Sequence, residues 1–411
     1  MKFNIYHFSR TAPYPVRQRA CLLNMVLVVC LFLLAFASQG AYSRIIYVKN
    51  TNDTEQVNSL RGAIMEANKS RQPTTIVLSA DEYDLGTNGQ IDVSGNVEVV
   101  GKSAGSTIAA TDYGARIFLV KRGAVLTLVN VILTGGAAQQ GAAICNGGVL
   151  NMRDCTIAEN ASVPVFTIVN PLDPAHGGDG GGIYNSNVAT LDNCTLCGNQ
   201  GGTGDSDPLG FGGSGGNGGG IFNSGVMTLN WCTLMKNYAG EGGQGSTPEG
   251  IIVAGFPNSP SGPGGNGGGI YNSGKLNLNY CIVFANTAGD GGPGIQGGAA
   301  GNGGDGGGIY NSGRLFLREC LIVENSAGGG GGATPDFWYP NTPYPGGSGG
   351  SGGGILNEKG ASFSVAESQI LFNDPGAPGI DTSGIKGEYP DTNDAARTPT
   401  GSSTSPPLRR D

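Results

Sequence analysis

The sequence is poor in charge and in histidine. Only 13% of its 411 residues are Asp, Glu, Lys or Arg, about half the usual share. It has two histidines, His7 and His176, and the first lies in an N-terminal segment with the features of an export signal. Two isolated histidines cannot form a zinc site, and a Ser–His–Asp catalytic set would have only His176 to use. We therefore interpret His176 as a solvated loop residue.

Glycine is present in large excess, at 76 residues. The absence of a strict three-residue glycine period excludes collagen. Low charge with abundant Gly and Asn fits an extracellular repeat protein better than a cytosolic enzyme. The net charge is −8, and residues 1–41 carry four basic residues and no acid, so the rest of the chain is near −12. This balance argues against nucleic acid or an anionic membrane surface as a partner, and a solvated acidic surface explains it.

A glycine-rich motif recurs along the chain in one internal register. Its copies are GAAICNG at Gly141, GGGIYNS at Gly180, GGGIFNS at Gly218, GGGIYNS at Gly267 and Gly306, and GGGILNE at Gly352. In the first five copies a cysteine follows the isoleucine by eleven residues, and an asparagine follows it by sixteen. The cysteines are Cys155, Cys194, Cys232, Cys281 and Cys320, and the asparagines are Asn160, Asn199, Asn237, Asn286 and Asn325. In the last copy two extra residues shift the frame, and Ser368 and Asn373 take those places.

Apolar residues alternate within each copy, which predicts short strands with one buried face. The odd step between Leu317 and Cys320 indicates a bend between two strands. One copy cannot bury its apolar face alone, but coils stacked about 4.8 Å apart build a continuous core. The sequence therefore predicts an all-β fold, a right-handed single-stranded parallel β-helix of the pectin-lyase-like kind.

The recurring cysteines and asparagines are predicted to form structural columns inside this solenoid. Thiols one coil apart are too far from each other for an easy disulfide, so we expect buried free cysteines acting as small apolar residues. The asparagines fall where the chain must turn, because Asn tolerates left-handed backbone, and equal positions would stack into amide ladders.

Four segments follow from this pattern. Residues 1–41 have a basic segment, an apolar run and small residues, as a signal peptide or an uncleaved signal anchor would, so we expect the rest of the chain to be secreted or on the cell surface. Residues 42–140 are predicted to hold the first coils, with strands such as Val125–Leu133, and a helix at Asn58–Arg71 that caps the open end. Residues 141–379 hold the regular repeats, and 380–411 are predicted to be disordered. The long Gly-rich inserts between copies are either a stacked glycine bundle on one flank or disordered linkers.

Two stretches resemble known families. The coil GGGIYNSGKLNLNYCIVFANTA resembles the repeats of bacterial surface β-helix proteins, including the polymorphic outer membrane proteins of chlamydiae, with their GGAI-like tetrapeptide and later asparagine. The segment VKNTNDTEQVNSLRGAIMEAN is similar to the CSLREA domain that precedes such helices in secreted bacterial proteins, although Asn58 and Gly62 replace its Cys and Glu. Together they cover about Ile45–Asn373. The resemblance implies the β-helix fold but indicates little about activity, since these families are mostly uncharacterised or adhesin-like.

Enzymes on this fold need clustered carboxylates for calcium or for acid/base catalysis. The outward positions here offer isolated acids beside aromatic residues, so we predict no catalytic residues and no metal ligands. The loop acids Asp179, Asp205, Asp207, Asp290 and Asp305 match no calcium-loop spacing, which leaves calcium as a weak hypothesis. A shallow glycan-binding strip is the alternative to a plain solvated face. Its residues would be Trp231, Tyr280, Asp192, Arg318 and Glu319.

The sequence thus favours an exported structural or adhesin-like protein that presents Gly-rich loops to a glycan or protein at the cell surface or in a matrix. A polysaccharide lyase or glycoside hydrolase on the same fold is the competing hypothesis. Any membrane contact is expected only through the N-terminal signal or anchor.

Overall fold

The computed structural model describes residues 43–380, except 87, 112–114, 165–174, 207–210, 246–258, 296 and 336–343. The predicted signal at 1–41 and nearly all of the predicted tail at 380–411 lie outside these residues. Three long parallel sheets wind around one apolar core, and the fold is a right-handed parallel β-helix, as predicted. In the described part of the chain, no helix has both the length and the apolar character needed to cross a membrane.

The first sheet has ten strands over the described residues. They are β1 (Arg44–Val48), β2 (Thr74–Leu78), β5 (Asn96–Val100), β8 (Val125–Val129), β12 (Val149–Arg153), β16 (Val188–Asp192), β19 (Val226–Asn230), β22 (Lys275–Asn279), β25 (Arg314–Arg318) and β28 (Ser362–Ala366).

The second sheet has nine strands within the same ranges. They are β3 (Glu82–Asp84), β6 (Ser106–Ala109), β9 (Val131–Thr134), β13 (Thr156–Ala158), β17 (Thr195–Cys197), β20 (Thr233–Met235), β23 (Ile282–Phe284), β26 (Leu321–Val323) and β29 (Gln369–Leu371).

The third sheet has eight strands in the described chain, and two short strands form a separate pair. The eight are β4 (Ile91–Val93), β7 (Phe118–Val120), β11 (Ile144–Asn146), β15 (Ile183–Asn185), β18 (Ile221–Asn223), β21 (Ile270–Asn272), β24 (Ile309–Asn311) and β27 (Ile355–Asn357). The separate pair is β10 (Ala137–Ala138) and β14 (Ala161–Ser162).

Each regular coil passes once through the third, first and second sheets, and equivalent residues pair between coils. Ile183 pairs with Ile221, for example, and Ile221 pairs with Ile270. The spacing between the isoleucines of successive copies is therefore one coil, and it sets the pairing register of the sheets. Because the pairing keeps each side chain on one face, the alternating apolar residues form one continuous core.

The N-terminal end of the core is covered by a single helix, α1 (Leu60–Lys69). Ser59 caps the helix, since its Oγ accepts from the Gly62 N–H at 3.2 Å. The apolar face of α1 is fully buried, with Ala63, Ile64 and Ala67 at 0% exposure. The predicted capping helix is present, with slightly narrower bounds.

The strands of the first coils differ in detail from the sequence-based expectation. The predicted strand Val125–Leu133 is two strands, β8 and β9, because Asn130 adopts a left-handed φ of 55° and turns the chain between sheets. The strands β3 and β6 were not predicted. Each is short and has only one or two large apolar residues, so its alternation is too brief to detect.

Candidate functional site

Trp231 and Tyr280 form a stacked aromatic pair at the turn between the first and second sheets. Their ring centroids are 4.1 Å apart and their planes differ by 6°. Both residues have a left-handed φ of 57°, which is an unusual and strained conformation for a bulky side chain. Trp231 is the more exposed residue of the two, at 62%. The two residues are thus in a turn rather than on a strand.

A second column runs beside this pair, at the last residue of each strand in the first sheet. Its members in successive coils are Asp192, Asn230, Asn279 and Arg318. Asn230 Nδ2 donates to Asp192 Oδ1 at 2.6 Å, and Asn279 Nδ2 donates to Asn230 Oδ1 at 2.9 Å. These bonds hold a row of amides next to the exposed indole.

Arg318 and Glu319 end the strip on its C-terminal side. The guanidinium carbon of Arg318 lies 5.7 Å from the Tyr280 ring centroid, a cation–π contact. Its Nε lies 3.4 Å from Glu319 Oε1. The five predicted strip residues therefore lie in two adjacent columns, and Asp192 and Arg318 are three coils apart, about 14 Å at the usual strand spacing.

The carboxylates of this region form hydrogen bonds or ion pairs with neighbouring side chains and are not paired with each other. Asp192 accepts from Asn230, and Asp154 Oδ1 accepts from Asn193 Nδ2 at 2.7 Å. Glu319 pairs with Arg318. Among the described residues, no group of three or more His, Cys, Asp or Glu side chains is arranged to hold a metal ion.

The asparagines predicted from the repeat form a buried ladder at the corner where the chain leaves the second sheet. Asn199 Nδ2 donates to Asn237 Oδ1 at 2.9 Å, and Asn237 Nδ2 donates to Asn286 Oδ1 at 2.9 Å. The left-handed residue is the one before each asparagine, such as Lys236 with φ 52°. The expectation that the asparagines themselves adopt this backbone was wrong, because their side chains point inward to bond the neighbouring coils.

A second asparagine ladder was not predicted. It uses the asparagine of each GGGIYNS motif, and its members are Asn146, Asn185, Asn223, Asn272, Asn311 and Asn357. Asn185 Nδ2 donates to Asn223 Oδ1 at 2.7 Å, and both residues are fully buried. The signal was present in the motif, since this asparagine follows the core isoleucine by two residues and so has the same inward side.

The five repeat cysteines lie in one buried column and are free thiols. Contact with the Cys194 thiol lowers the pKa of Cys232, but contact with the Cys281 thiol and burial outweigh it and raise the pKa to about 12. Cys320 ends the column, and there the Cys281 thiol outweighs burial and lowers the pKa of Cys320 to about 7. Cys145 and Cys197 are half-buried and outside the column.

The Gly-rich inserts pack into a bundle along one flank of the β-helix. The described parts of the inserts run out and back, as the antiparallel bridge between Ser206 and Gly212 and the bond from the Gly265 N–H to the Gly240 carbonyl show. Successive segments are joined by backbone hydrogen bonds in one continuous series. Each glycine N–H of the series donates to the carbonyl of a glycine in an adjacent segment that lies earlier in the chain. The series runs from Gly376 through Gly350, Gly328, Gly304, Gly289, Gly265, Gly240, Gly216 and Gly202 to Gly178.

The hydrogen bonds of each bundle segment repeat every three residues. Gly240 and Gly243 donate to a returning segment of the previous insert, whereas Ala239 and Gly242 donate to the next outgoing segment. A three-residue period is typical of polyproline-II-like backbone. A Cβ on Gly240 would lie 1.8 Å from the Gly202 carbonyl oxygen, so only glycine fits there. Of the two expectations for the inserts, the stacked bundle describes these segments.

The loop acids hold backbone groups of the neighbouring coil. Asp179 Oδ1 accepts from the Asn217 N–H at 2.7 Å, and Asp305 Oδ1 accepts from the Ser351 N–H at 2.6 Å. Burial raises the pKa of both carboxyls. Asp290 Oδ1 accepts from the Gly329 N–H at 2.6 Å, while Asp205 bonds to the adjacent Ser206. Asp207 lies outside the described residues.

His176 also serves the inserts. Its Nδ1 accepts from the Ser214 N–H at 3.1 Å and lies 3.0 Å from Ser214 Oγ. The ring is exposed at one edge of the glycine bundle, as a loop residue.

A cavity of about 540 Å³ lies beside α1, far along the chain from the aromatic pair. Arg61 lines it and is 8% exposed. Its Nε and Nη2 donate to the two carboxylate oxygens of Asp53 at 2.7 and 2.9 Å, and the guanidinium also donates to the carbonyls of Gly89 and Gln90. The arginine of NSLRGAI thus anchors the segment that precedes the capping helix to the first coils.

No protein family and no curated protein sequence matches this chain. Three of the solved structures that match this chain do so at low similarity. The ORF18 protein of Geobacillus virus E2 has 11% identity and a TM-score of 0.29, with 89% of this chain and 66% of that one covered. A pectate lyase has 12% identity and a TM-score of 0.29, with 81% and 80% covered. An iota-carrageenase from A. fortis has 14% identity and a TM-score of 0.27, with 69% and 53% covered. The chain spans just under two thirds of the viral protein and about half of the carrageenase.

Proposed function

We propose that this protein is an exported structural or adhesin-like rod that presents its Gly-rich inserts at the cell surface or in the extracellular matrix. The observation that carries the proposal is the hydrogen-bonded glycine bundle on one flank. Flexible linkers would need none of these bonds, whereas a display surface needs its inserts held in fixed positions.

The bundle supports this function because its backbone segments touch with no side chains between them. A Cβ on Gly289 or Gly328 would lie 1.8 Å from a neighbouring carbonyl oxygen. Such segments carry no recognition chemistry of their own. They extend the chain outward from the coil without requiring particular side chains. The residues between the outgoing and returning segments are the ones that differ from insert to insert. A partner would recognise those residues.

We further propose that the aromatic strip supplies a shallow glycan-binding surface. Tyr280 covers one face of the Trp231 indole, and 62% of Trp231 remains exposed beside the amides of Asn230 and Asn279. An open aromatic face next to amide donors and acceptors suits a sugar ring, which stacks through its C–H groups and bonds through its hydroxyls. The engaged acids give no support to a lyase or hydrolase mechanism here.

The test is a binding screen of the folded chain on glycan arrays and immobilised matrix proteins. Trp231→Ala should weaken glycan binding at least tenfold, whereas Tyr238→Ala should not, although Tyr238 is also an exposed aromatic at 45%. Binding that persists in Trp231→Ala would assign recognition to the inserts instead of the strip. A folded chain that binds no glycan or matrix protein, or one that turns over a polysaccharide, would overturn the proposal.

A further inference from the structure

The two ends of the β-helix differ in whether a secondary-structure element covers the core. At the N-terminal end α1 packs against β1, β2, β4 and β5 and buries Leu60, Ala63, Ile64 and Ala67. At the other end β27, β28 and β29 are the last strands in the order of the three sheets. Over the described residues, no helix or strand covers these three edges. Open strand edges are templates for pairing with another chain.

Core positions are also uncovered in the last coil. Val365 pairs in register with Leu317, and both occupy an inward position of the first sheet. Leu317 is 0% exposed, whereas Val365 is 44% exposed. Phe363 and Ile370 are likewise only partly buried, although their partners Leu315 and Ile322 are at 2% and 0%. The end of the solenoid therefore presents a cross-section of its own core.

We propose that this open end pairs with the same end of a second copy of the chain, related by a two-fold axis. The contact is self-complementary, because a two-fold axis brings the apolar end of each copy against the same end of the other, so that every contact is made twice. Both copies are right-handed, so strands that meet across the junction run antiparallel, a geometry that edge strands accept as readily as the parallel one. Each final coil then covers the core of the other copy.

The capped N-terminal end makes this assembly stop at two. Head-to-tail stacking would bring an open end against α1, which offers no strand edge, so filaments are not expected. Residues 381–411 are the other candidate cover, but their large apolar residues are only Ile385, Tyr389 and Leu408, against a cross-section of three sheets. The second copy supplies all three edges at once.

The experiment measures the molar mass of the full chain by light scattering and sedimentation at about 1 to 100 μM. The expected mass is twice that of the monomer. Val365→Lys should halve it, because it places a charge at the centre of the junction. The matched control is Val226→Lys, since Val226 is also 44% exposed and on the first sheet, and its register partner in the next coil is already Lys275. Circular dichroism should show that both variants keep the wild-type fold.

Three results would overturn the proposal. A monomeric wild-type chain over this range would point to residues 381–411 as the cover. A Val365→Lys chain that remains dimeric would place the contact elsewhere. Masses that rise beyond the dimer with concentration would contradict a closed two-fold assembly.

Discussion

The Oδ1 oxygen of Asn286 accepts two hydrogen bonds from Asn237, one from its backbone N–H at 3.0 Å and one from its Nδ2 at 2.9 Å. The Oδ1 oxygen of Asn237 accepts the same pair from Asn199, at 3.1 and 2.9 Å. All three residues are fully buried. Each amide therefore satisfies groups of two coils, and the corner of the β-helix depends on the side chain having both a donor and an acceptor.

Replacing one amide of this ladder should be costly. Asn237→Ala removes the acceptor of two buried Asn199 donors, and each unsatisfied group costs about 1–3 kcal/mol. We expect the free energy of unfolding to fall by about 3 kcal/mol or more, measured by urea denaturation with circular dichroism. Asn187→Ala is the control, because exposed Asn187 only donates to the Gly147 carbonyl at 3.2 Å and should cost about 0.5 kcal/mol or less. Equal losses in the two variants would contradict a buried ladder.

Two adjacent glycines test whether the bundle is packed backbone to backbone. A Cβ on Gly328 would lie 1.8 Å from the Gly289 carbonyl oxygen, whereas on Gly329 the nearest atoms lie at 3.4 Å. Gly328→Ala should force the segments apart and expose their amides, which hydrogen exchange would detect as lost protection in the bundle. Gly329→Ala should keep that protection and change stability by less than about 1 kcal/mol. Similar protection in both variants would mean that the segments are not in contact.

The fold could be predicted from sequence because its signal is repeated. Ile183, Ile221 and Ile270 pair in the register that their motif spacing implied. The first coils have no repeated motif, and there the bend at Asn130 was missed. A left-handed residue leaves no clear trace in composition, since Trp, Tyr, Lys and Glu all occupy such turns in this chain.

From the sequence, the glycine bundle could be proposed only as one of two alternatives for the inserts. Its stability comes from backbone bonds such as Gly265 N–H to the Gly240 carbonyl, and glycine has no side chain to indicate a partner. The strip was harder still. Its residues were expected at outward strand positions, but Trp231 and Tyr280 lie in turns, and their stacking depends on a turn conformation that the sequence did not show.

The thiols should differ sharply in reactivity. Cys145 and Cys197 are half-buried, so they should react with iodoacetamide at pH 8 in the folded chain, although burial raises the pKa of each. The column thiols should react only after unfolding, because each is at most 3% exposed. The Cys232 thiol also has a pKa of about 12, whereas Cys320, with a pKa of about 7, is protected by its burial alone. Peptide mass spectrometry before and after denaturation gives the answer. Rapid labelling of Cys232 in the folded chain would show that the column is open to solvent.

The carboxyl of Asp305 should make stability depend on pH. Burial raises its pKa in the folded chain above the unfolded value of about 3.9. Its stabilising contribution is therefore complete below about pH 3.9 and is lost as the pH rises through the folded pKa. Asp305→Asn keeps the Oδ1 acceptor for the Ser351 N–H, as Asn266 does for Asp305 in the previous coil. The variant should unfold at a higher temperature than the wild type at pH 7 and at nearly the same temperature at pH 3.

The matched control for this substitution is Asp290→Asn. Asp290 makes the same kind of bond, to the Gly329 N–H at 2.6 Å, but its side chain is exposed, so removing its charge should change the midpoint little at either pH. Calorimetry at pH 3, 5 and 7 separates the two variants. A gain in Asp305→Asn that is equally large at pH 3 would mean that packing, and not the buried charge, sets the difference, since the wild-type carboxyl is neutral there.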